Sequence, residues 1–237
     1  MDDIRVEFKE QRAEVFCCNE KIGIVSFKRN PVHNQNLYLD LQFEYYDLEI
    51  AKCVFEELRK HSKTSLQIML PSTAQEVIMF IKSAGFVCKR KCYEVEADAC
   101  DYIGRTVEYP LVYAEAGQSI YEQCCDRMLE RYILTHKDIN PWTGSRDDFY
   151  KLLPKTVYYD TYNGEIRNLA FVENDEIAYV CGVDVVDFSG FAEGLLTDLF
   201  GKFESVAFEA DDCDEYAMRL KAFFVNQSDE SYDTYVL

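Results

Sequence analysis

The chain has 237 residues, 48% of them hydrophobic, enough to bury one large core or two smaller ones. Its formal net charge is −18, and the excess is uneven: residues 1–110 carry 15 Lys and Arg against 18 Asp and Glu, whereas residues 111–237 carry 10 against 25. A polyanion needs a basic face, so nucleic acid is excluded as a partner on charge; no apolar run approaches the roughly 18 residues that cross a bilayer, so no membrane partner is expected either.

Ten scattered cysteines in a chain of this length read as reduced thiols rather than a disulfide framework, and Met1–Arg5 lacks the basic start and apolar run of a leader. A cytoplasmic protein is the expectation. Ile4–Phe8, Arg12–Cys18 and Ile22–Phe27 alternate as strands of an antiparallel meander, followed by a fourth strand at Leu37–Phe43. Asp47 then caps a helix whose apolar residues Leu48, Ala51, Val54, Phe55 and Leu58 share one face. A buried strand is expected at Leu66–Leu70. Ser72 and Thr73, with Gln75 and Glu76 three residues on, open a second helix that Gly85 ends, and Val87–Glu96 closes the series as a strand.

The stretch 97–106 has no clear period and marks a boundary. Beyond it, Leu111–Glu115 reads as a strand. Ser119 with Glu122 opens a helix, and a loop from His136 to Gly144 carries the one tryptophan, Trp142. Ser145 caps a shorter helix. Val157–Tyr162, Ile166–Val172 and Ile177–Val186 are three strands, the first pair joined by Asn163-Gly164, the strongest hairpin signal in the chain. The β-branched run ending at Val186 gives way to a glycine-bearing turn and then to helical spacing at Ala192, Leu195, Leu196, Leu199 and Phe200. A strand at Val206–Glu209, a helix from Asp214 to Phe223 and a strand at Tyr232–Val236 follow.

The second half repeats the order of the first with one addition, the helical pair at Ser119–Leu153. At its strand-to-helix junction, Asp187-Phe-Ser-Gly190-Phe-Ala192 fits R/Q-x-x-G-x-G/A at the glycine and the final small residue; Phe80–Phe86 ends in Gly-Phe. On these residues and this order of elements the chain resembles the GNAT acyltransferase superfamily, whose acyl-CoA signature that motif is. The resemblance implies an α/β (mixed α+β) fold of two GNAT-like domains, 1–104 and 105–237, each a mixed, mostly antiparallel sheet flanked by helices. It implies acetyl-CoA as cofactor and N-acetyl transfer to a small-molecule or peptide amine. The cofactor residues it implies lie in the second half: Val183 and Val185 along the pantetheine arm, and the N–H groups around Gly190, Phe191, Ala192 and Gly194 at the pyrophosphate.

The departures from the pattern define an alternative, a non-catalytic GNAT-fold binding protein that has lost coenzyme A. In the first half Glu49 stands for the glycine and Tyr46 for the base; in the second Asp187 stands for the base. At roughly 6 Å and an effective dielectric of about 20, a carboxylate repels a phosphate charge by about 3 kcal/mol. A helix terminus returns only about 0.3–2 kcal/mol. Asp187 therefore either turns away or caps the helix itself, filling the anion site with the protein's own carboxylate. The general-acid tyrosine of the family's late helix is replaced by Ile81 in one half and falls near Lys221 in the other. No catalytic base and no metal set is assigned, and oligomeric state is not specified by the sequence. Cys88 and Cys92 read as structural thiols, Cys17-Cys18 and Cys124-Cys125 as pairs with one side chain inward, and His33, His61 and His136 as solvated. Trp142, with Tyr150, Tyr158 and Tyr159, reads as core and rim packing or as the wall of an acceptor cleft.

Overall fold

Polar and apolar residues alternate through β1 (Ile4–Phe8), β2 (Arg12–Cys17), β3 (Glu20–Asn30) and β4 (His33–Phe43), which pair antiparallel in that order. The computed structural model describes residues 4–237; Met1–Asp3, part of the stretch tested for a leader, lies outside the described residues. α1 (Leu48–Ser62) starts at Asp47, whose side chain accepts from the Glu49 N–H, as its sequence signal requires. β5 (Ser65–Pro71) runs parallel to β4, and α2 (Gln75–Ser83) follows. The capping boxes expected at Ser72 and Thr73 do not form. The N-cap position falls on Ala74, and Ser72 Oγ instead accepts from the Ser231 N–H at 3.0 Å. Gly85, at φ +100°, takes the left-handed turn after α2.

The later elements are β6 (Val87–Asp98), β7 (Val112–Glu115), α3 (Ser119–His136), α4 (Arg146–Tyr150), β8 (Thr156–Tyr162), β9 (Glu165–Glu173), β10 (Glu176–Cys181), α5 (Val185–Phe200), β11 (Ser205–Asp211), α6 (Glu215–Lys221) and β12 (Tyr232–Val236). Asn163 and Gly164 both take positive φ, 54° and 82°, as a tight hairpin turn between right-twisted strands demands.

Two compact units result, one from residues 1–91, 137–144 and 230–237, the other from 92–136 and 145–229. A cut at 104/105 does not follow these units, because each sheet takes its closing strand from the other half of the sequence. In the first unit the strand order is β1-β2-β3-β4-β5-β12, with β12 antiparallel to β5. In the second it is β6-β11-β10-β9-β8-β7, with β6 antiparallel to β11 from Cys92 onward. Both sheets are thus a four-strand meander, one parallel pair and one antiparallel closing strand.

The first unit buries α1 and α2 against the face that carries Leu37, Leu39 and Ile68. Its β1 runs directly into β2, without the helical pair that the second unit has. In the second unit α5 and α6 cover the face bearing Ala170 and Val172, while Tyr121 of α3 meets Phe171 on the opposite face. All ten cysteines are free thiols. Cys124 and Cys125 are both fully buried, not one in and one out, because α3 packs between the sheet and α4; burial pushes the Cys124 thiol up to about 12 and the Cys125 thiol up to about 11. No helix among the described residues is long and apolar enough to cross a membrane.

Candidate functional site

The second unit's strand, link and helix differ from the sequence reading at their junction. β10 ends at Cys181, and α5 begins at Val185 with Asp184 as N-cap. Asp184 Oδ1 accepts from the N–H groups of Val186 and Asp187 at 2.9 and 3.2 Å, and its carbonyl from Phe188. The apolar run Val183–Val186 read as strand because valine favours strands, but an aspartate with N–H partners two and three residues on starts a helix within it. Val183 therefore lies exposed in the link and Val185 is the first helical residue, so neither offers a strand edge to a ligand.

Gly190, Phe191, Ala192 and Gly194 all fall inside α5, where N–H groups are used by carbonyls one turn back. Phe191 and Ala192 are buried completely in the core. A Cβ at Gly194 would stand 2.3 Å from Tyr109 Cβ, whereas one at Gly190 would meet only Tyr109 Cε2 at 3.6 Å. Gly190 and Val185 line a groove of about 780 Å³ on the flank of α5, together with Arg167, Asn168 and Arg219. Asp187 turns into an ion pair with Arg167 of β9. The protein's own carboxylate does fill the helix end, but it belongs to Asp184. Further along α5, Glu193 accepts from the Arg105 guanidinium and backbone N–H, which hold its carboxyl below its ordinary value.

A larger cleft, about 1020 Å³, opens in the first unit where β4 and β5 part. Their parallel pairing runs from Asn36↔Ser65 to Leu39↔Ile68 and stops, although β4 continues to Phe43 and β5 to Pro71. Leu41, Met69 and Tyr232 wall the cleft, and Lys9, Arg12 and Lys28 stand at its rim. Gln67 lines it while fully buried; its Oε1 accepts from Asn36 Nδ2, and its amide faces the Tyr38 phenol. Tyr38 stands beside the amides of Gln67 and Asn140; burial raises its pKa and hydrogen bonding to those two amides offsets part of the rise. Sequence reasoning missed both. The one signal was Gln67 itself, an amide in the middle of an otherwise apolar strand.

The segment 137–144 packs on this same face. His33, expected in solvent, is buried: its ring Nδ1 bonds the Asn140 carbonyl at 2.6 Å and its edge meets Trp142. Trp142 thus takes the packing role. His136 is also buried, stacked on Tyr132 at the end of α3 with Nε2 3.9 Å from Asp211. Only His61 lies toward the surface, stacked on Phe8.

Neither a protein-family model nor a curated protein sequence matches the chain. Solved structures do. A GCN5-related N-acetyltransferase from Sphaerobacter thermophilus superposes with a TM-score of 0.51 at 8% identity, covering 98% of this chain and 81% of its own. A probable N-acyltransferase from Enterococcus faecalis gives 0.51 at 12%, covering 95% of this chain; this chain spans 61% of that protein's length. The chain has the GNAT fold. A tandem GNAT protein from the clavulanic acid biosynthesis pathway overlaps more loosely, with a TM-score of 0.49 at 11% identity over 95% of this chain and 82% of its own.

In the second unit the parallel pair parts as well: β10 pairs with β11 only at Glu176↔Ala207 and Ile177↔Phe208. The helix that follows the first parting strand is closed in each. Asp47 caps α1 with Glu49 in its first turn, and Asp184 caps α5 with Asp187 in its first turn. Neither end fits a diphosphate, since the N–H groups nearest the surface already serve a carboxylate. The late-helix positions of the GNAT fold also lack a phenol: Ile81 is core, and the Lys221 ammonium lies over the Tyr93 ring.

Proposed function

We propose that this chain is a GNAT-fold binding protein that does not take coenzyme A at either helix terminus. The observation that carries this reading is the pair of self-capped ends at Asp47 and Asp184, each with a second acid in the first helical turn. A diphosphate would have to displace a cap worth about 1 kcal/mol and then face the displaced carboxylate, which opposes it by about 3 kcal/mol at roughly 6 Å, for a return of at most about 2 kcal/mol from the helix; Glu49 adds to the opposition at α1, while at α5 Asp187 is paired with Arg167. The cleft between β4 and β5, lined by the buried Gln67 amide and the Tyr38 phenol, is the place where the first unit holds its own ligand.

A second reading keeps acetyl-CoA as cofactor and N-acetyl transfer to a small-molecule or peptide amine. The parted parallel strands in both units favour it, and so does the likeness to the Sphaerobacter protein. Isothermal titration of the full chain with acetyl-CoA decides between them. No heat at millimolar ligand is the expected result, and saturable binding at one or two sites per chain overturns the first reading. In that event Gln67→Leu and Gly190→Glu tell the copies apart, the former emptying the first unit's cleft of its donor and the latter placing an acid beside α5.

A further inference from the structure

Three arginines, Arg105, Arg167 and Arg219, line the groove on the flank of α5. Arg167 is matched by Asp187, and Arg105 holds both oxygens of Glu193. Arg219 makes no ion pair among the described residues. The acid that feels its charge is Glu193, whose carboxylate is already spent on Arg105. Arg219 Nε donates to Ser189 Oγ at 2.7 Å, and Ser189 Oγ donates in turn to the Val185 carbonyl at 2.8 Å; the guanidinium lies over the Phe223 ring, 4.8 Å from its centre. The fork is therefore fixed through its Nε edge and one face. Its two terminal nitrogens donate to no acceptor among the described residues, and a planar pair of N–H groups held in this way matches a carboxylate.

The other acid of the groove, Asp160, limits what can follow that carboxylate. Its oxygens accept from the Tyr109 hydroxyl and from the backbone and side-chain N–H groups of Asn168, so its acceptors are used while its charge remains. An ammonium finds no open acceptor there, and a second carboxylate meets a like charge. A dianion such as phosphate would likewise bring two charges to one free cation. The uncharged part of the lining is apolar and open: Val186 is 79% and Tyr162 62% exposed, and a Cβ at Gly190 would touch nothing closer than 3.6 Å. Covering such side chains is favourable in proportion to the apolar area removed from water. We propose that this groove binds a small monocarboxylate with an uncharged, apolar body, its carboxylate on the Arg219 fork and its body over Gly190 against Val186 and Tyr162.

Thermal-shift titration of the full chain with butyrate, isovalerate and benzoate at millimolar concentration tests this, with the matching primary amides and succinate as controls and ionic strength held constant with sodium chloride. At least one of the three acids should raise the melting temperature saturably, while its amide and succinate should not. Arg219→Gln should weaken that binding by about tenfold to a hundredfold, the loss expected for a charge-assisted pair, and Arg219→Lys should fall between, because an ammonium keeps the charge without the fork. Gly190→Leu should abolish it without lowering the melting temperature of the free protein, because leucine is a better helix former and has room to stand in the groove. If none of the three acids shifts the transition, if an amide or succinate shifts it equally, or if either Arg219→Gln or Gly190→Leu binds as the parent does, the proposal fails. Acetyl-CoA titration does not bear on it, since no part of that reading uses Arg219, so the two stand or fall separately.

Discussion

Gly190 and Gly194 sit one turn apart on α5 and answer to different demands. At Gly194 a methyl group would run into Tyr109, which packs directly on the helix backbone, so Gly194→Ala should destabilise by about 1–3 kcal/mol. At Gly190 the space is open and alanine relieves the helical cost of glycine, so Gly190→Ala should stabilise by up to about 1 kcal/mol. Urea denaturation of the two variants checks both signs; equal destabilisation would mean that Tyr109 does not hold the position found here. His33 supplies a pH test. Burial keeps its imidazole below the ordinary 6.5, so the neutral ring is the folded form. A lowered folded pKa contributes stability that is present above 6.5 and is lost as pH falls through the folded value. The urea midpoint should therefore drop between about pH 7 and about pH 5, and His33→Asn should flatten that part of the profile even if it starts lower.

At the scale of elements, the start of α5 decides the chemistry of its unit. Had the helix begun at Gly190, a glycine loop with free N–H groups would have preceded it; beginning at Val185, it consumes them. Asp184→Ala should cost about 1 kcal/mol through the lost cap, while Asp184→Ser, which keeps a capping oxygen, should cost no more than a few tenths. An Asp184→Ala protein as stable as the parent would place the helix start elsewhere. The closing strand β12 is the second decisive element. Thr234 and Tyr235 are almost fully buried in the first unit, and Tyr235→Ala should cost about 3–5 kcal/mol for the large side chain lost from that core. Amide hydrogen exchange should then speed up in β5, its partner strand. Most of these elements were legible beforehand: the Asp47 and Ser145 caps and the Asn163-Gly164 turn depend on residues close in sequence, and the structure realises each. The α5 start was not, because three valines of high strand propensity, Val183, Val185 and Val186, surround the cap that overrides them.

For the whole molecule, the exchange of closing strands means that the sequence halves are not folding units. A fragment of residues 1–104 lacks β12 and the segment 137–144 that covers Asn36 and His33. It should show no cooperative thermal transition alone and should gain one when residues 105–237 are supplied; a cooperative transition in the isolated fragment would contradict the exchange. By itself the sequence determined the order of strands and helices, the internal repeat, the missing helical pair and the acidic character, since these follow from periodicity, local caps and composition. Only the tertiary structure decided which strand closes which sheet, that Gln67 and Tyr38 line a cleft, and that Arg219 and Asn168 share a groove. Those depend on contacts between residues far apart in the chain, to which local pattern carries no information. The helix end first read as a phosphate cradle shows the division most clearly: its glycines were visible in the sequence, but whether their N–H groups faced a ligand or a carbonyl one turn back was settled by where the chain began to coil.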